Sequence, residues 1–214
     1  MRIAICGLAL TQALLLAGQA HSAEGGPVER KNLVWSGTVR IAETFTVPEG
    51  SSLEIRPGTR VLLAEGASLM VHGALKAVGR PGEEVIFTRA DTGAGGNWHE
   101  LRLDGAEESL LEHCVIEYAD KGLHSHDTKL TLRFCTIRSC EVGLRFRSGP
   151  LDVSNCRFTR NRIGLRSYQG VARISESDFW DNEVGVFVRE KGGGLELAGC
   201  NLFQVTAEGD KFTA

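Results

Sequence analysis

The sequence is short of almost everything that advertises chemistry. It contains no Cys-x-x-Cys and no Cys-x-x-Cys-His, so a redox motif, covalent haem and a zinc ribbon lose their usual sequence support. No two aspartates are adjacent, and proline occurs only 5 times, with no Pro/Ser-rich or charge-run linker to divide the chain. Neither sign of charge is in excess. The 24 basic and 27 acidic residues leave a net −3, which gives nucleic acid no electrostatic footprint. Long apolar runs are missing as well, since the one apolar stretch, Ile3 to Ala17, falls short of the roughly 20 residues of a membrane-spanning helix.

That stretch follows a single positive charge, Arg2, and precedes small residues at Gly18, Ala20 and Ala23, the pattern of a secretory signal peptide. Residues 1–23 are therefore expected to be removed on export, leaving a periplasmic, secreted or cell-surface protein. Cys6 sits too near the start to be a lipid-attachment site. Loss of Arg2 leaves 23 basic against 27 acidic residues, a mature charge of −4 over 191 residues (214 minus 23). That length suits one domain. Five cysteines remain, Cys114, Cys135, Cys140, Cys156 and Cys200. An odd number in an exported chain leaves at least one thiol free or paired between molecules.

What is present is an internal repeat. From Leu111 the segments LEHCVIEYADKGL, LRFCTIRSCEVGL, VSNCRFTRNRIGL and ISESDFWDNEVGV align without a gap. Cys114, Cys135, Cys156 and Ser177 recur every 21 residues, as do Gly122, Gly143, Gly164 and Gly185. Ile116, Ile137, Phe158 and Phe179 form a third column, and Leu123, Leu144, Leu165 and Val186 a fourth. Apolar and polar residues alternate within each unit, the period of half-buried strands. About three strands per unit are expected, broken at Gly and Asn positions where the chain turns. One unit cannot bury its apolar side alone, but a stack at a pitch of about 4.8 Å buries a continuous core. The spacing is looser upstream, and Leu33 to Val205, 173 residues, gives about eight coils.

These columns, with VPEGSSLEIRPGTRVLL and GASLMVHGALKAVG before them, resemble parallel β-helix repeat proteins of the pectate-lyase-like superfamily over nearly the whole mature chain. The resemblance implies an all-β, single-stranded right-handed parallel β-helix and does not fix an activity. The expected division is a signal peptide at 1–23, an N-terminal cap at 24–46, the β-helix at 47–205 and a tail at 206–214. The superfamily's polygalacturonase-type motifs are not intact here. Ser125-His126-Asp127 is a partial echo of Gly-His-Asp, but no aspartate pair supplies an acid and a water-activating base.

Columns decide what chemistry is within reach. The inward cysteines read as a ladder of buried thiols rather than disulfides, because parallel in-register side chains do not point at one another. Cys140, Asn161 and Asn182 form a turn column, and the resemblance implies an asparagine ladder there. Asp152, Arg173 and Glu196 stack outward, with the two carboxylates about 9.6 Å apart, two pitches. Arg173 between them favours both charged forms, against the raised pKa of a general acid. These three, and Glu117 over Arg138, read as exposed ion pairs worth under about 1 kcal/mol each. Trp180 points outward, a sugar platform or a half-covered ring.

After the repeated glycine, two positions per coil point out. His124, Arg145, Arg166 and Phe187 make one column; His126, Arg147, Tyr168 and Arg189 make its neighbour. The result is a basic face with two aromatic rings, suited to carboxylate, sulfate or phosphate groups on a sugar chain. The same residues also suit a solvated sheet that repels edge-to-edge association. The two histidines are expected to be solvated, since adjacent arginines oppose a metal, and neither metal nor cofactor is expected. The leading reading is a non-catalytic module for acidic polysaccharide or lipopolysaccharide. A polysaccharide lyase or glycoside hydrolase with an unrecognised active site and a structural spacer docked to an envelope protein stay open. The short polar tail predicts end-to-end self-association.

Overall fold

The computed structural model describes residues 30–91, 95–189, 194–203 and 205–208, the last four in backbone alone; the expected signal peptide lies outside them, as do residues 209–214 of the expected tail. The chain is an all-β solenoid. Three parallel sheets of eight strands each run its length, and each strand pairs with its counterparts in the coils before and after. Sheet A runs from Asn32–Trp35 to Gly194–Ala198, sheet B from Thr38–Ile41 to Asn201–Leu202, and sheet C from Phe45–Val47 to Val205–Glu208. The first coil, which ends at Val47, therefore takes up most of the residues 24–46 expected to cap the stack, and the last strand extends past Val205 into the expected tail. Among the described residues no helix is long and apolar enough to cross a membrane.

The register follows the repeat. Ser109 pairs with Leu130, Val115 with Thr136 and Val142 with Ile163, each 21 residues on. Upstream the coils vary, Asn32 facing Ser52 and Arg60 facing Ile86. The inward columns fill the bore. Phe87, Ile116, Ile137, Phe158 and Phe179 lie in one ladder of sheet B, all fully buried. The Phe158 and Phe179 rings stack at 4.5 Å. Trp98 is fully buried beside Ala119, and its indole N–H donates to the Glu117 carbonyl at 2.8 Å. Large against small keeps successive coils at one pitch.

The corners bear out one expectation in part. Glycines carry the positive backbone angles at many of them, as at Gly37, Gly58 and Gly199 between sheets A and B and at Gly149 and Gly170 between C and A, but in the 21-residue units the angle falls on His113, Phe134, Asn155 and Glu176 at the turn from sheet A to B, and on Tyr118, Ser139, Arg160 and Asp181 at the turn from B to C. A left-handed residue costs about 1–2 kcal/mol, and the ladders on both sides of each corner impose it. The repeated glycines serve another purpose. Lys121 faces Glu100 while Leu123 faces Leu101, so Gly122 is the extra residue of a bulge in sheet C. A Cβ on Gly143 would lie 2.6 Å from the Gly164 carbonyl oxygen, and one on Gly122 would lie 2.8 Å from that of Gly143. Close stacking, not turning, requires glycine here.

The thiols are free. Cys114, Cys135, Cys140 and Cys156 are buried and Cys200 is half-buried. Cys135, Cys140 and Cys156 donate to carbonyls two residues back at 3.2–3.3 Å. Burial pushes the Cys140 thiol up to about 12. Cys135 and Cys156 are raised chiefly by hydrogen bonds to their thiol neighbours, Cys114 and Cys135 respectively, so these three thiols stay protonated. The turn column is an asparagine ladder: the Asn161 carbonyl oxygen accepts from Cys140 N–H at 3.0 Å, that of Asn182 accepts from Asn161 N–H at 3.0 Å, and each amide donates to a carbonyl, Ile137 and Phe158 respectively.

Candidate binding face on sheet C

Sheet C presents the two outward columns together. His124 lies beside Arg145, Arg145 beside Arg166 and Arg166 beside Phe187 in continuous register. The next column follows the backbone bonds from Arg147 to Ser125 and from Tyr168 to Phe146. Arg189 closes it with Glu208 as its register neighbour. The Tyr168 ring lies under both Arg145 and Arg166 at 5.2 Å, and Phe187 lies under Arg166 at 5.3 Å. These rings hold the guanidinium groups flat and leave their edges free to donate. Among the described residues no carboxylate lies within 4.0 Å of Arg145, Arg147 or Arg166.

The structure extends the first column by one coil that the repeat did not reveal. Arg102 pairs in register with His124, and Asp104 with His126. His124 is not solvated as expected: it is 5 % exposed, and its Nδ1 lies 2.9 Å from Glu100, itself 4 % exposed. His126 Nδ1 lies 2.8 Å from Asp104, which also takes Arg102 at 2.7 Å. Lys121 Nζ stands 3.3 Å from both Glu100 and His99 Nε2, and His99 Nδ1 stands 3.2 Å from Asp120. With Lys121 as a pure donor, His99 accepts at Nε2 and donates from Nδ1 to Asp120, so every group in the relay is matched.

Electrostatics follow from that packing. Burial would raise the Glu100 carboxyl, but the hydrogen bond from His124 and the charges of His124 and Lys121 outweigh it and hold it at about 2. Asp104 is likewise lowered, as bonds from His126 and Arg102 overcome its partial burial. His124 is lowered first by burial and further by the Arg145 and Arg102 charges, against the pull of Glu100. The first half of the face is thus neutralised internally. The open positive charge among the described side chains then begins at Arg145 and continues through Arg147 and Arg166.

Elsewhere the surface pairs are ordinary, with one correction. Arg173 meets Glu196 at 3.0 Å with both side chains largely exposed, and Asp152 stands beside Arg173 in register. Glu117 is instead 8 % exposed, bound by Arg138 at 2.7 Å and by Thr88 at 3.0 Å. That pair joins two strands of sheet B, with the acid largely buried and the arginine partly exposed. Trp180 is 47 % exposed, a single ring. Among the described residues no three His, Cys, Asp or Glu side chains converge to hold a metal.

The fold and this face define a class, a parallel β-solenoid with a cationic, ring-supported ladder on one side. A stretch of 64 residues is 31 % identical to Protein bark beetle of Drosophila melanogaster, covering 30 % of this chain and 2 % of that protein. No protein-family model and no solved structure matches the chain.

Proposed function

We propose that the protein is an exported, non-catalytic β-helix module of the pectate-lyase-like superfamily that binds an acidic glycan, such as an acidic polysaccharide or lipopolysaccharide, along sheet C. One observation carries the reading: Arg145 and Arg147 on one coil and Arg166 on the next have no carboxylate partner among the described residues, and two of them are braced on Tyr168. Other surface arginines pair with acids in neighbouring coils, Arg162 with Glu141 and Arg173 with Glu196, and what sets these three apart is their clustering on one face around the Tyr168 ring. Unpaired forks at a pitch of about 4.8 Å suit a chain of anionic sugars running along the axis. The leader-like segment 1–23 supports export.

The test is retention on immobilised acidic polysaccharide, with chain cleavage monitored in parallel. Replacing Arg145, Arg147 and Arg166 together by serine abolishes retention, and no cleavage accompanies binding. Undiminished retention by a folded triple variant overturns the reading. Cleavage lost on replacing Glu100 would favour a polysaccharide lyase or hydrolase instead.

A further inference from the structure

Four of the six buried side-chain polar atoms without a hydrogen-bond partner among the described residues lie in one column: Arg102 Nε, His124 Nε2, Arg145 Nε and Arg166 Nε. They occupy four successive coils of sheet C, in register. Buried polar atoms left unpaired cost about 1–3 kcal/mol each; the three guanidinium Nε–H groups are matched only when something supplies acceptors, and His124 Nε2 joins them as a donor only when protonated. We propose that His124 is part of the anion-binding face, so that an anionic ligand lying along the Arg102–His124–Arg145–Arg166 column is bound together with a proton at His124. This inference rests on the glycan-binding reading and adds its regulation.

Geometry dictates the coupling. His124 donates from Nδ1 to Glu100, leaving Nε2 as a bare lone pair. A second proton there would face the Arg102 and Arg145 guanidinium groups above and below, with Lys121 near the same Glu100 carboxylate. No acceptor awaits it in the free protein. An anion bridging Arg102 and Arg145 passes over His124, offsets both positive charges and brings an oxygen for Nε2–H. Proton and ligand then strengthen each other reciprocally. The other histidines on this face are His126, between Asp104 and Asp127, and His99, between Asp120 and Lys121.

The probe is dextran sulfate, whose charge does not change near neutrality, so any pH dependence belongs to the protein. Its affinity rises as pH falls from about 7.5 to 5.5, approaching tenfold per unit for one linked proton. His124→Asn keeps a donor near Nδ1 but cannot titrate, and it flattens this slope. A double His99→Asn, His126→Asn variant retains it. Calorimetry of the wild type in buffers of different ionisation enthalpy shows net proton uptake on binding, a readout independent of any variant's folding. An unchanged slope in His124→Asn, or binding without proton uptake, overturns the coupling and leaves the glycan reading intact. Failure to bind dextran sulfate at any pH overturns both.

Discussion

Replacing Asn161 by alanine is the sharpest test of how the coils are held in register. Asn161 is 3 % exposed, and its side chain makes three bonds: it accepts from Cys140 N–H at 3.0 Å and donates to the carbonyls of Ile137 at 3.1 Å and Asn182 at 3.0 Å. Alanine removes all three. The Cys140 N–H then loses its acceptor, and the Asn182 amide oxygen loses one donor while keeping the Asn161 backbone N–H. An orphaned buried donor costs about 1–3 kcal/mol and each of the two other lost neutral bonds about 1 kcal/mol, so the variant should lose about 3–5 kcal/mol. That is a large share of the roughly 5–15 kcal/mol typical of a domain. Asn201 is the control, because its amide reaches only Asp178 at 2.7 Å on the exposed face. Its replacement should change stability by under about 0.5 kcal/mol. Urea unfolding followed by far-UV circular dichroism measures both. Equal, small losses would refute the view that the turn ladder holds the coils.

Two further outcomes follow from the same physics. Gly143→Ala places a methyl against the Gly164 carbonyl and costs about 1–3 kcal/mol, whereas Gly194→Ala, with no atom within 4 Å of the added carbon, is neutral or slightly stabilising in the same denaturation assay; the reverse order would refute the close-stacking role. Because the Glu100 carboxyl is held at about 2 against an ordinary 4.5, the unfolded chain takes up its proton first on acidification. Stability is then complete above about pH 4.5 and lost towards about pH 2. Glu100→Gln should show a shallower fall across that window, and parallel curves would exclude the carboxylate as a source.

The repeat made most of the fold legible, because a fixed 21-residue offset places thiols, glycines and aliphatics in columns that only a stack can bury. Two things were hidden. The corner residues His113, Phe134 and Arg160 adopt backbone angles that their side chains disfavour, and ladder pairing on either side overrides local preference there. Glu100, Arg102 and Asp104 fall upstream of the aligned units. The extra Gly122 makes the step from Arg102 to His124 22 residues rather than 21, enough to break a strict alignment. The signal was the alternation itself, since Leu101-Arg102-Leu103-Asp104 has the same inward and outward order as Leu123-His124-Ser125-His126.

A stack joined by neighbour-to-neighbour ladders has no unique middle. Excising residues 143–163 would join Val142 to Gly164 and leave the glycine, thiol and asparagine columns unbroken. The number of coils is therefore a quantity that descent can adjust by duplicating or dropping whole units. Each added unit lengthens the outer ladder by one rung without altering any existing one. The length of that outer ladder can thus change in lineages of this chain while the fold stays the same.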